Sequence, residues 1–153
     1  MSSKILNYLD PRTVIVGLEA ENSTEVIQSL GSKLMEAGYV HGTFIEAALT
    51  REKSLPTGLP LGGEYNAAIP HTDIEHVIKS ALGMATLKAP VDFQNMIEPE
   101  ESVPVRLVFI LALDQPKAQI EMLQEIAGVL QDAALVAKLM EAQTFADVQA
   151  ALA

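Results

Sequence analysis

Apolar positions along the chain fall into blocks with two different periods, and glycine, proline and short polar runs separate the blocks. Val14, Ile15 and Val16 favour a strand that Gly17 ends. The polar run Glu21 to Glu25 follows, with Ser23 or Thr24 as helix cap. Val26, Ile27, Leu30 and Leu34 then recur near 3.6 residues, and Gly38 stops the helix. Thr43, with Glu46 three residues on, reads as a capping box for a short helix with Phe44, Ala47 and Ala48 on its apolar face. That helix ends at Arg51-Glu52-Lys53. Residues 54–64 hold two prolines and three glycines and read as a loop. Ala67 to Ile69 form a short apolar segment closed by Pro70 and His71. Thr72 could cap a turn, with Glu75 as its partner.

In the second half, residues 81–89 read as a strand that Pro90 stops, and Val91 to Phe93 as a short extended piece. After Pro104 comes Val105–Leu113, apolar nearly throughout and thus suited to a central strand covered on both faces. Asp114 and Pro116 announce a helix with Ile120, Leu123, Ala127 and Leu130 as its stripe. A further helix runs through Val136, Leu139 and Met140, and a last one starts after Thr144. Helices around a buried strand argue for an α/β fold, and with no repeat or linker in view, residues 1–153 read as a single domain.

Composition narrows the function classes. The 153 residues are 49% hydrophobic and 20% charged, which suits a folded domain with a sizeable core. Asp plus Glu number 20 against 10 Lys plus Arg, a net charge of −10. Nucleic acid needs a basic footprint, which is missing, and anionic membrane surfaces are disfavoured for the same reason. A basic protein partner suits the charge. Without cysteine there is no disulfide, thiolate nucleophile or Cys-based metal site. MSSKILNYLD has no long apolar run, and Val105–Leu113 is too short to span a bilayer. The expectation is a cytoplasmic protein without direct membrane insertion.

Three histidines, His41, His71 and His76, are candidate chemical groups. No His-Glu-x-x-His zinc motif occurs. His71 and His76, five apart, do not share a helical face, so Asp73 and Glu75 between them give only a paper ligand set. His71 has two readings. One is a loop histidine with a single local hydrogen bond. The other is a nucleophile for a phosphoryl group: Pro70 stiffens the backbone before it, and a turn starting at Thr72 would offer free N–H groups beside the imidazole. Arg51 likewise is either a surface charge at a helix end or, if the Gly/Pro loop folds back on His71, a fork for phosphoryl oxygens. Gly58, Gly62 and Gly63 match neither a P-loop nor a dinucleotide fingerprint.

Two segments, Ala48-Leu-Thr-Arg51-Glu52-Lys53 with Pro56-Thr57-Gly58, and Asn66-Ala-Ala-Ile69-Pro70-His71, resemble the signature of enzyme IIA domains of the bacterial sugar phosphotransferase system. The resemblance is to the fructose–mannitol type, and in detail to its galactitol-specific branch, where a second histidine follows five residues later, as His76 follows His71. It covers nearly the whole chain. It implies a mixed β-sheet flanked by helices on both sides and a phosphoryl carrier. The histidine-phosphorylated phosphocarrier protein would be the donor and a sugar-specific IIB component the acceptor, with the membrane IIC component engaged indirectly. On this chain the active histidine maps to His71 and the phosphate-steadying arginine to Arg51. No metal or other cofactor is implied. Many mannitol-type relatives carry a further histidine where this chain has Gln119, and the galactitol-like branch lacks it too. Thr57 and Thr72 are supporting candidates, and Glu52, Asp73 and His76 weaker ones. The alternative is a phosphorylation-dependent regulatory IIA-like protein that controls transcription or other proteins; a fused DNA-binding segment would favour it, and no such pattern is found in these residues. Leu55, Leu59 and Leu61 are expected either to centre a docking face or to fold inward.

Overall fold

The strongest apolar run becomes the middle of a sheet. In the computed structural model, which describes residues 3–153, the strands are β1 (Val14–Leu18), β2 (Gly58–Leu59), β3 (Ala67–Ala68), β4 (Ala81–Gln94) and β5 (Ser102–Ala112). Met1 and Ser2, the start of the N-terminal segment read above, lie outside the described residues. The spatial order is β1-β4-β5-β3-β2. β1 runs parallel to β4 and β3 parallel to β5, while the β4/β5 and β2/β3 pairs are antiparallel, so the sheet is mixed.

Helices cover both faces: α1 (Ser3–Leu6), α2 (Ser23–Glu36), α3 (Phe44–Ser54), α4 (Pro116–Leu130), α5 (Ala133–Glu141) and α6 (Phe145–Leu152). Alternate residues of β5 serve opposite layers. Leu107, Phe109 and Leu111 join Ile5, Met122, Ile126, Leu139 and Val148 on one side, and Val108 and Ile110 join Val26, Leu30, Leu34 and Phe44 on the other. This is the expected single α/β domain with helices on both sides. No described helix is long and apolar enough to cross a membrane.

Several local expectations need correction. Gly17 does not end β1. It sits inside it at φ +73°, the register slips between Ile15 and Leu18, and its N–H donates to Thr86 Oγ1 at 2.9 Å. The cap of α2 is Asn22, whose side chain accepts from Glu25 N, rather than Ser23 or Thr24. Pro90 does not stop β4. The β1 pairing ends at Leu87 and the β5 ladder breaks between Thr86 and Val91, so no recorded pairing needs an N–H at Pro90. Pro104 lies within β5, opposite Asp92. The 54–64 stretch is not all loop: α3 runs to Ser54, and Gly58–Leu59 pairs with Ala67–Ala68. The core-facing stripe of α4 is Met122, Ile126, Val129 and Leu130, while Ile120 is 59% exposed and Ala127 also faces solvent.

Candidate functional site

The site lies at the carboxyl ends of the parallel pair β3 and β5, where the strands open toward the N-terminus of α4. Pro70 interrupts β3, yet the chain stays against β5: Leu111 N donates to Pro70 O at 3.1 Å, and His71 bridges to Leu111. His71 is therefore anchored to the central strand of the sheet and is itself 9% exposed. Its Nδ1 is 2.9 Å from Ile69 O. A carbonyl only accepts, so Nδ1 carries the hydrogen, and Nε2 of the neutral ring keeps its lone pair. Burial holds the His71 pKa below its ordinary value, and the positive charge of Arg51 adds to this. The Ile69 hydrogen bond and Asp73 act in the opposite sense. The ring is thus kept as neutral imidazole, the form with a nucleophilic nitrogen.

Arg51 stands in the last turn of α3, where a cation complements the helix dipole. With Leu55, Thr43, Thr72, Asp73 and His76 it lines an open cleft of about 480 Å³. Arg51 thus shares a cleft with the two residues that follow His71. Its Nε is buried and has no hydrogen-bond partner among the described residues. Gln119, in the first turns of α4, reaches the same segment: its Nε2 makes a long 3.5 Å contact to Thr72 O, and its buried Oε1 is unpartnered among the described residues.

The supporting residues divide. Thr57, 2% exposed, donates to the Glu52 carboxylate through its N–H (2.8 Å) and its hydroxyl (2.9 and 3.1 Å), and its Oγ1 accepts from Ile69 N at 3.3 Å. Burial raises the Glu52 pKa to about 7 against the lowering pull of Thr57 and Arg51. Thr72 caps nothing: the turn after His71 is a three-residue 3-10 turn, Ile74–His76, preceded by Asp73, without the expected Thr72–Glu75 box. The Thr43–Glu46 box is absent too, because Thr43 Oγ1 bonds His76 Nδ1 at 2.8 Å across the cleft. Of the three leucines, Leu55 is 55% exposed at the cleft rim, whereas Leu59 and Leu61 pack half-buried on the core. No group of three or more His, Asp or Glu with metal-ligand geometry occurs among the described residues.

Glu52 and Thr43 make contacts, to Thr57 and His76, that were not expected from the sequence. Glu52 did carry a signal: a carboxylate in the last turn of a helix opposes the dipole, so a dedicated partner was to be sought. Thr43 carried none, since a threonine before a helix reads first as a cap.

Comparison with known proteins identifies the family of the chain. Residues 7–153 match the family described as "Phosphoenolpyruvate-dependent sugar phosphotransferase system, EIIA 2". The galactitol-specific EIIA component of Escherichia coli is 31% identical over 124 residues, covering 81% of this chain and 81% of that protein. The transcriptional regulator ManR of Bacillus subtilis is 32% identical over 139 residues, covering 89% of this chain but 20% of the regulator. Among solved structures, the IIA mannitol protein of Escherichia coli superposes with a TM-score of 0.78 at 27% identity, covering 95% of this chain and 99% of that one.

Proposed function

The chain belongs to the EIIA 2 family of the phosphoenolpyruvate-dependent sugar phosphotransferase system, and from that premise we propose that it carries a phosphoryl group on His71. The donor is the histidine-phosphorylated phosphocarrier protein and the acceptor a IIB component of a sugar transporter. The observation that carries the reading is the Nδ1–Ile69 O hydrogen bond of a buried, neutral His71, which reserves Nε2 for attack.

The transfer balances without metal or nucleotide. The Nε2 lone pair of His71 forms the new N–P bond as the donor's N–P bond breaks, and the donor leaves as neutral imidazole. The positive charge gained by the His71 ring rests beside the Nδ1–H, against the Ile69 carbonyl. Arg51 neutralises the phosphoryl oxygens. A buried, unpaired donor costs roughly 1–3 kcal/mol, so the Arg51 Nε is a group that an oxyanion would satisfy. Gln119, in place of a second imidazole, supplies an amide hydrogen bond but cannot shuttle a proton.

A polyol or related sugar of the galactitol-like branch is the proposed cargo of the pathway. Its support is the 31% identity with the galactitol-specific component, shared across four-fifths of both chains. The likeness to ManR supports a second reading, a phosphorylation-dependent regulatory domain that uses the same histidine.

The test is labelling from phosphoenolpyruvate through the phosphocarrier protein. One acid-labile, base-stable phosphate is expected on the chain and none on a folded His71→Ala variant. Full labelling of that variant would remove His71 from the mechanism. Transfer onward to a galactitol IIB component, but not to unrelated IIB components, is the result expected for the branch.

A further inference from the structure

We propose that Glu52 and Thr57 are positioning residues: they lock the end of α3 to the Ile69–His71 segment and thereby hold the His71 ring in its Nδ1–H tautomer. This deepens the carrier reading and rests on it.

The argument starts with a residue in an unfavourable place. Glu52 lies in the C-terminal turn of α3, where the helix dipole repels a carboxylate, and it is half-buried. Nothing basic pairs with it within salt-bridge distance among the described residues. Its partner is Thr57, five residues on and around the helix end, which directs both its donors at the carboxylate. Once Glu52 is ionised its carboxylate only accepts, and the single hydroxyl hydrogen of Thr57 then points at Glu52. The Oγ1 lone pairs are then left for another donor, and Ile69 N–H takes that role.

Ile69 is thus held from one side by Thr57 and on the other offers its carbonyl to His71 Nδ1. Pro70, between them, fixes φ and transmits the placement with little slack. Gly58 completes the clamp: a Cβ there would come within 2.6 Å of Gln94 O, so only glycine lets the Thr57 segment sit this close to β4. Arg51 and Glu52 are neighbours on one helix. The group that faces the phosphoryl oxygens and the group that fixes the imidazole therefore move together, and one rigid connection sets the register between Arg51 and His71.

The experiment reads the imidazole directly. In the full chain with 15N-labelled histidine, at a pH where the ring is neutral, the His71 nitrogens of the wild type should show the Nδ1–H tautomer. Thr57→Val keeps the shape but removes the hydroxyl. It should shift His71 toward Nε2–H and slow labelling by the phosphocarrier about tenfold, while Thr57→Ser restores both. Glu52→Gln keeps one acceptor oxygen where the carboxylate uses two, and should shift the tautomer in the same direction by less. A folded Thr57→Val with wild-type tautomer and wild-type rate would overturn the proposal. If Thr57→Val does not fold, an unchanged tautomer in Glu52→Gln overturns it instead. The tautomer is read without phosphoryl transfer, so failure of the wild type to accept phosphate would sink the carrier reading and leave this result separately legible.

Discussion

At the scale of the residue, the site is two titrating groups pushed in opposite directions by burial. His71 is held below its ordinary pKa and Glu52 is raised to about 7. The linkage signs are opposite. The folded state binds protons at Glu52 more tightly than the unfolded chain, so the Glu52 contribution is fully present below about pH 4.5 and is lost as pH rises through about 7. His71 binds protons less tightly when folded, so its contribution is present above the unfolded value near 6.5 and is lost as pH falls toward the lower folded value. Denaturant unfolding between pH 4.5 and 7 should therefore show Glu52→Gln gaining on the wild type as pH rises, by no more than about 3 kcal/mol. Replacing His71 by Ala should remove the loss that the wild type suffers on acidification. Equal slopes in all three proteins would mean that neither group is perturbed as described. His71 and Arg51 stood out in the sequence through the Ile69-Pro70-His71 and Arg51…Thr57-Gly58 segments that carry the family resemblance, while the residues alone left each with a plain structural reading. The Glu52–Thr57 pair did not stand out, because a contact around a helix end matches neither the i+3 nor the i+4 spacing of a helix face.

At the scale of the element, misread boundaries trace to particular competitors. Apolar residues in the Pro116–Leu130 segment offer two overlapping stripes, and only tertiary packing chooses between them. Met122, Ile126 and Val129 face the sheet, and Ile120 faces solvent. Ile126→Ala should cost about 2–5 kcal/mol in unfolding free energy, and Ile120→Ala within about 0.5 kcal/mol of nothing. The reverse order would mean that α4 is rotated. Pro90 misled for a related reason: proline stops a strand only where the ladder needs its N–H, and pairings are not visible in one sequence. Gly58→Ala should cost roughly 1–3 kcal/mol by overpacking against the Gln94 carbonyl. It should also slow phosphoryl acceptance, because the Thr57 segment moves with it.

At the scale of the whole molecule, a relay must present one face to two partners in turn. The central strand and the helices on both faces were legible, since they follow from one apolar run and the order of periodic segments; the placement of the cleft at the strand ends was not, because it depends on which strands pair in parallel. Of the three leucines expected either to centre a docking face or to fold inward, Leu55 is exposed beside the cleft, whereas Leu59 and Leu61 pack half-buried on the core. NMR titrations with the phosphocarrier protein and with IIB should shift the same amides around His71 and Leu55, in fast exchange. Separate footprints on opposite sides of the domain would contradict a shared face. With a net charge of −10, association with a basic partner should slow as salt is raised.

The central claim is that His71 accepts phosphate through Nε2 while Ile69 holds Nδ1–H. The most direct measurement is 15N and 31P NMR of the histidine-labelled chain after phosphorylation by the phosphocarrier protein. Phosphorus coupling should appear at His71 Nε2, with Nδ1 still protonated. Phosphorus on Nδ1, on His76 or His41, or on no histidine would contradict the account.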